Sequence, residues 1–500
     1  MLAAAAMLAG LAAWTIFFRA DLVLSHYDAK AHLVVARRVI DNLTPGWQQI
    51  GAVWLPLPHL IQLLPVQVDL FYRTGLAGSA ISILCFGVTA WAFARLVLAA
   101  TGSAIGATAA VAVLALNPNL LYLQSTPMTE PLLLAVTSLV VLWLYEWIAQ
   151  DRDRLPGKLA LVLFAATWTR YEAWFVVAAA GAAALVALWR LGKDWPTIAR
   201  RVARLAMWPI VAAVLFVINS RVTVGSWFVT GGFYVPDPLY QGQALRSAVA
   251  IWWGTHQLSG YGIAAIGLLG ALAVVASVFS TTHPRTAHRA SLLIPLAMFA
   301  AAALPFYAFY SGHPFRIRYM VPVVAACALA GGVVTGLVAR AAANSTRRFA
   351  PLLAAALIAS ALIESPPWDR GAAMLQEAQW DRPASFARRA VTACLADRYR
   401  GDKVLASMGS LAHYMQELSW SGFALSDFIH EGNGVIWNAA LEERPERHAG
   451  WMLVEEQAEG GDVLAQHIRR EPAYAAGIVR VCEGGGVALY QRPNRTPSVN

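Results

Sequence analysis

Charge is scarce in this chain: 13% of its 500 residues are Asp, Glu, Lys or Arg, about half the share in ordinary globular domains. With 58% hydrophobic residues and a mean hydropathy of +0.52, that scarcity excludes a soluble fold. Short repeat periods and low hydrophobicity are missing too, which excludes fibrous and disordered chains. What remains is an integral membrane protein. Up to Glu364 there are 24 Lys and Arg against 12 Asp and Glu, whereas from Ser365 onward 14 face 17. The composition predicts a membrane body over 1–364 and an acidic, soluble tail over 365–500, long enough for one small domain. The body's basic charge falls where membrane topology needs it, so nucleic acid is not an expected partner.

Apolar stretches of about 20 residues are read near 2–18, 74–99, 104–123, 131–149, 158–170, 173–190, 205–222, 259–280, 291–309, 319–339 and 350–363. Alternate loops carry Arg152, Arg154 and Lys158; Arg190, Lys193, Arg200, Arg201 and Arg204; Arg285 and Arg289; and Arg340, Arg347 and Arg348. The positive-inside rule puts these in the cytoplasm and the tail outside. The first stretch lacks a basic n-region, so it reads as a retained span and not a cleaved signal peptide. Cys85 and Cys327 lie in spans as small hydrophobes. Cys394 and Cys482 lie in the outer tail, where a disulfide is expected.

With the sides assigned, Asp151, Asp153 and Asp194 fall in cytoplasmic loops and Glu146 closes a span. Asp21, Asp28, Asp41, Asp69, Glu130, Glu172 and Asp237 gather on the outer face. Carboxylates converging at one face of an apolar bundle point to a site there. The first outer loop, 19–73, is too long for a connector and too apolar for a solvated one. Leu33, Ala36, Val39, Ile40 and Leu43 recur at helical spacing, which predicts an interfacial helix over Ala29–Leu43. Pro56, Pro58 and Pro65 break the next apolar segment, Val53–Val68. Asp28, just ahead of the first helix, is placed either to take a proton from a substrate hydroxyl or to cap that helix. His26, Asp28 and His32 are also the ligand types a divalent metal accepts, at spacings that fit a helical pair poorly.

The order of Tyr27-Asp28, Pro127-Met128-Thr129-Glu130-Pro131, Thr169-Arg170-Tyr171-Glu172 and Arg316-Ile317-Arg318-Tyr319, all on the outer side, resembles the GT-C class of integral-membrane glycosyltransferases, in particular the branch of aminoarabinose transferases and protein O-mannosyltransferases. The likeness covers about residues 1–364. It departs in one place: many relatives have two adjacent acids in the first loop, and here Ala29 follows Asp28.

The resemblance implies a polytopic α-helical protein of about eleven spans with a C-terminal soluble α/β domain, in a bacterial cytoplasmic (inner) membrane, its site and tail extracytoplasmic. It implies an inverting transferase that moves a monosaccharide from a polyprenyl-phosphate carrier to a lipid, glycan or protein hydroxyl, with no cofactor, among membrane lipids. Asp28 is then the base. Glu130 holds the acceptor or caps its helix; Glu172 binds substrate or pairs with Arg170. Arg316 and Arg318 have no acid within ten residues in sequence, so they grip a phosphate through their planar forks or snorkel to headgroups. Lys30 is a further phosphate candidate or a solvated charge. His32 bonds sugar hydroxyls or the loop itself, and Tyr319 completes the substrate-binding set. The alternative function is a transporter or flippase of lipid-linked sugars, against which stand the missing internal repeat and the few mid-span acids; a non-catalytic assembly role is the third.

Trp227, Phe228, Phe233, Tyr234, Tyr240, Trp252 and Trp253, with Gly231-Gly232 and Asp237, make the fourth outer loop an aromatic belt or a lid. In the tail, helices are read at Pro383–Tyr399, Leu411–Leu418 and Gly461–Arg470. Strands are read at Lys403–Ser407, Gly450–Glu455, Ile478–Cys482 and Val487–Gln491. Gly409 and Gly484-Gly485-Gly486 are turns, since no phosphate-loop pattern surrounds them.

Overall fold

A computed structural model describes residues 1–229, 234–279, 290–458 and 461–493. Gly231, Gly232, Phe233, Arg285 and Arg289 lie outside them. Among the described residues nine helices are long and apolar enough to cross a membrane, and two shorter apolar helices, Ala104–Leu116 and Gly157–Thr167, accompany them. These account for all eleven stretches read from the sequence, and the chain is an integral membrane protein. One stretch is not a single helix. Residues 104–123 break at Asn117-Pro118, because Asn117 ends one helix and its side chain accepts the N–H groups of Asn119 and Leu120 to cap the next, Pro118–Leu123; proline at the first helical position favours that restart. The span expected at 205–222 is longer, Trp195–Val224, and carries Arg200, Arg201 and Arg204 on its first turns.

Small residues let the bundle close. A Cβ on Gly106 would lie 2.4 Å from the Gly332 carbonyl oxygen, and one on Gly267 would lie 2.4 Å from the Cys327 Cβ. Both contacts wedge helix Val321–Ala339 into the bundle centre, as close packing without bulky side chains allows. Arg318 and Tyr319, in the turn Ile317–Met320 just before that helix, inherit its fixed position.

The first loop is ordered: Tyr27–Arg37, Leu57–Gln62 and Asp69–Thr74 are short α-helices, with 3-10 turns at Trp47–Ile50 and Pro65–Gln67. The expected helix over Ala29–Leu43 is shorter, Tyr27–Arg37, and its apolar face does not meet lipid. Leu33, Val34 and Ala36 pack in one core with Leu411, Met415 and Leu418 of helix Met408–Leu418 in the tail. Periodicity marked a buried face and was silent on what buries it.

The tail forms one five-stranded sheet: β1 (Val404–Ala406), β2 (Phe428–Ile429), β3 (Trp451–Glu455), β4 (Val479–Gly484) and β5 (Val487–Gln491), in the order β2-β1-β3-β5-β4. β1 runs parallel to β2 and β3, and β5 antiparallel to β3 and β4. Gly485 and Gly486 turn the β4–β5 hairpin at positive φ, +58° and +81°, a backbone that favours glycine. Cys394 and Cys482 are disulfide-bonded, tying helix Arg382–Arg398 to β4. The tail's first helix, Ala373–Ala378, instead joins the core of the membrane body through Ala372, Met374, Leu375 and Ala378.

Candidate active site

Asp28 lies on the first turn of helix Tyr27–Arg37, where a carboxylate ordinarily serves as cap or dipole partner. The cap is another residue: the His26 side chain accepts the Asp28 N–H through Nδ1 at 3.1 Å. The Asp28 carboxylate is left for other work. Its Oδ2 accepts a hydrogen bond from Arg318 Nη2. Tyr122 fixes the approach to this turn, its hydroxyl lying 3.0 Å from both the Leu22 carbonyl and Ser25 Oγ.

A second arginine organises the neighbouring acids. Arg170 Nη1 donates to Thr129 Oγ1 at 2.7 Å and lies 3.0 Å from Glu130 Oε1. Its Nη2 donates to Glu172 Oε1 at 2.7 Å, and its Nε reaches both Glu172 oxygens at 3.2 Å. Glu130 Oε1 is also 3.6 Å from Arg318 Nε. One ionic chain therefore runs Asp28–Arg318–Glu130–Arg170–Glu172 across the ends of four helical segments. Glu130 is 1% exposed, and its turn is pinned by Ser79 and Ser82, whose hydroxyls donate to the Ser125 and Thr126 carbonyls at 2.9 and 2.6 Å.

The fourth carboxylate comes from a place the motifs did not reach. Asn119 Oδ1 accepts the Met374 N–H at 2.8 Å, anchoring helix Ala373–Ala378 on the body. That anchor delivers Glu377, whose Oε2 accepts the Ile317 N–H at 2.7 Å and whose Oε1 lies 3.6 Å from both His26 Nε2 and Arg318 Nη1. Three residues on, the indole of Trp380 meets the Tyr27 ring edge-on, centroids 6.3 Å apart, while remaining 67% exposed. No signal in the tail's sequence singles out Glu377; its only trace is the proximity of 365–380 to the last span.

Electrostatics follow from this crowding. Burial pushes the Asp28 carboxyl up, but Arg318, with His26, Arg316 and Arg170, more than offsets burial and holds it below the usual carboxylate range. Glu377 is likewise held low, against burial, by His26 and Arg318. Beside Asp28 and buried, the Tyr27 phenol is pushed up to about 12. The arrangement can accept a proton at Asp28 and present guanidinium charge within the same few ångströms.

The structure brings Asp28, Glu130, Glu172 and Arg318 together. Tyr319 flanks them, its ring under the Arg318 guanidinium at 5.4 Å and its hydroxyl 3.4 Å from His313 Nε2. Arg316 is half-buried beside them, donating to the Phe315 carbonyl at 3.1 Å. Lys30 turns the other way: its Nζ pairs with Glu417 Oε1 at 2.6 Å, within a network that includes Ser385, Arg388 and Asp381. His32 is also apart, buried with Nδ1 3.1 Å from His59 Nε2 and its ring on Trp54; burial and His59 hold it well below the usual histidine range. His26, Asp28 and His32 thus do not converge, and among the described residues no three His, Cys, Asp or Glu side chains form a metal-binding group.

No family model matches this chain, and no curated protein does. Among solved structures it is similar to ArnT from Cupriavidus metallidurans in the apo state, with 13% identity, a TM-score of 0.50, and 95% of this chain and 97% of that one covered. It also matches the oligosaccharyltransferase of Archaeoglobus fulgidus tethered to an acceptor peptide, with 11% identity, a TM-score of 0.45, and 91% and 72% covered. The same enzyme in complex with Zn and sulfate matches at 11% identity, a TM-score of 0.46, and 96% and 71% covered. The fold is the GT-C fold, a helical membrane bundle followed by a C-terminal region with a small sheet.

Proposed function

We propose that this chain is an inverting glycosyltransferase that moves a monosaccharide from a polyprenyl-phosphate carrier to an acceptor hydroxyl. The observation that carries the reading is the carboxylate of Asp28, not used as a helix cap and bonded to Arg318 at one end of a GT-C bundle. The acceptor O–H gives its proton to Asp28 while its oxygen attacks the anomeric carbon opposite the phosphate. The bond from that carbon to the phosphate oxygen breaks with its electron pair, and the polyprenyl phosphate leaves toward Arg316 and Arg318. Glu130 and Glu172, held by Arg170, orient the sugar or acceptor hydroxyls. The phosphate is already a good leaving group, so alignment and a base are what the protein must supply.

We read the side as extracytoplasmic. Arg152, Arg154, Lys193, Arg201 and Arg340 lie in loops or at helix ends away from the site, as a cytoplasmic face requires. We read the tail as an outer domain that rests on the first loop and lends Glu377 to the site. The test is lipid analysis of native cells with and without the protein. Loss of the protein should make a polyprenyl-phosphate sugar accumulate while a sugar modification of the envelope disappears. No change in either pool would contradict the proposal.

A further inference from the structure

Two roles in the proposed reaction fall on groups that are already each other's partners. Asp28 must be free to take a proton and Arg318 free to meet a phosphate, yet Arg318 Nη2 is spent on Asp28 Oδ2. Both side chains are nearly closed off, at 8% and 11% exposure.

The rest of the Arg318 fork is poorly served. Its Nε is buried with no hydrogen-bond partner, and the carboxylates of Glu130 and Glu377 stand off at 3.6 Å. Its Nη1 faces His26 Nε2 at 2.9 Å, while His26 Nδ1 faces the Asp28 N–H at 3.1 Å. A neutral imidazole accepts at one nitrogen only. His26 therefore cannot both cap the helix and accept from Arg318, and one N–H of this cluster lacks an acceptor. A guanidinium with one full hydrogen bond and unserved donors within a charged cluster is matched to an incoming anion with several acceptor oxygens.

We propose that Arg318 changes partner when the donor binds, leaving Asp28 for the carrier phosphate, so that donor binding itself releases the base. The inference rests on the glycosyltransferase reading and adds to it an order of events. Without donor, Asp28 is neutralised by Arg318 and is a weak base. With donor, the phosphate takes the fork. Asp28 then keeps the burial that raises its proton affinity and loses the largest influence lowering it. Glu377 holds the Ile317 N–H and so anchors the turn, and a rotation of the Arg318 side chain is enough for the exchange.

The exchange makes Asp28 a competitor of the phosphate, which has a measurable consequence. The probe is undecaprenyl phosphate, with uncharged undecaprenol as the control, binding to the purified full chain in detergent. Wild type should bind the phosphate in preference to the alcohol. Asp28→Asn should bind it more tightly, by roughly 5- to 100-fold, and Asp28→Ser serves if the Asn variant does not fold. Arg318→Gln should weaken binding, with Arg318→Lys as its substitute, and in that background Asp28→Asn should no longer tighten it. Unchanged or weaker binding by both Asp28 variants would overturn the exchange while leaving the transferase reading intact. Tightening that persists without Arg318 would also overturn it, because the carboxylate would then act by repulsion across space. Wild type that does not distinguish the phosphate from the alcohol would overturn both the exchange and the transferase reading.

Discussion

Arg318 donates to the carboxylate of Asp28 across 290 residues of sequence, joining the turn before a central span to the helix that follows the first one. A lysine at 318 would keep the charge and lose the fork that reaches Asp28, His26 and the neighbouring acids together. Arg318→Lys should therefore lower sugar transfer by roughly 10- to 100-fold with the thermal unfolding temperature little changed. Equal transfer by Arg318→Lys, Arg316→Lys and wild type would show that neither guanidinium fork serves the reaction.

Glu377 ties the tail to the reaction centre. Glu377→Gln keeps an acceptor for the Ile317 N–H and removes the charge beside His26 and Arg318; Glu377→Ala removes both. Transfer should fall in the order wild type, Gln, Ala, with the Ala variant down about tenfold or more. Full activity in Glu377→Ala would mean that the Glu377 carboxylate contributes nothing to the reaction. The comparison is made on purified protein with matched stability.

Lys30 and Glu417 hold the first loop against the tail. Burial pushes the Glu417 carboxyl up, but Lys30 and Arg388 outweigh it and hold it at about 2. A depressed carboxyl stabilises the folded state above its ordinary value of 4.5 and loses that contribution as pH falls toward about 2. Glu417→Gln strands Lys30 and should cost about 3–5 kcal/mol. It should also flatten the loss of stability between those two pH values, read by thermal unfolding across pH. An unchanged acid profile would show that the pair does not hold the interface.

The sequence made the spans legible and marked Asp28 as a candidate, because long apolar runs and an acid just ahead of a periodic helix are local signals. It did not show what Asp28 touches. Whether Asp28 caps its helix turned on His26, whose ring takes the cap although aspartate is the more usual capping residue. Lys30 reads as a phosphate candidate or a solvated charge because its partner, Glu417, lies 387 residues away. Glu172 had two readings, and the pairing with Arg170 is present. Glu377 was invisible for a different reason: its role comes from Asn119 holding Met374, a tertiary contact with no motif at either end. The helix after Asp28 was found by its period, but the partner of its apolar face, helix Met408–Leu418, belongs to a part of the chain that composition assigns elsewhere.

The central claim is that Asp28 takes the acceptor proton, and Asp28→Asn tests it most directly. Asparagine is close in size, His26 supplies the cap regardless, and Glu130 and Glu377 at 3.6 Å leave Arg318 with carboxylate partners, so the variant should insert and fold with a modest loss of stability. Sugar transfer from a polyprenyl-phosphate donor should fall by roughly 10²- to 10⁴-fold, with thermal stability of the purified variant as the control. Near-normal transfer by a folded Asp28→Asn protein would contradict the account and move the search for the base to Glu130, Glu172 and Glu377.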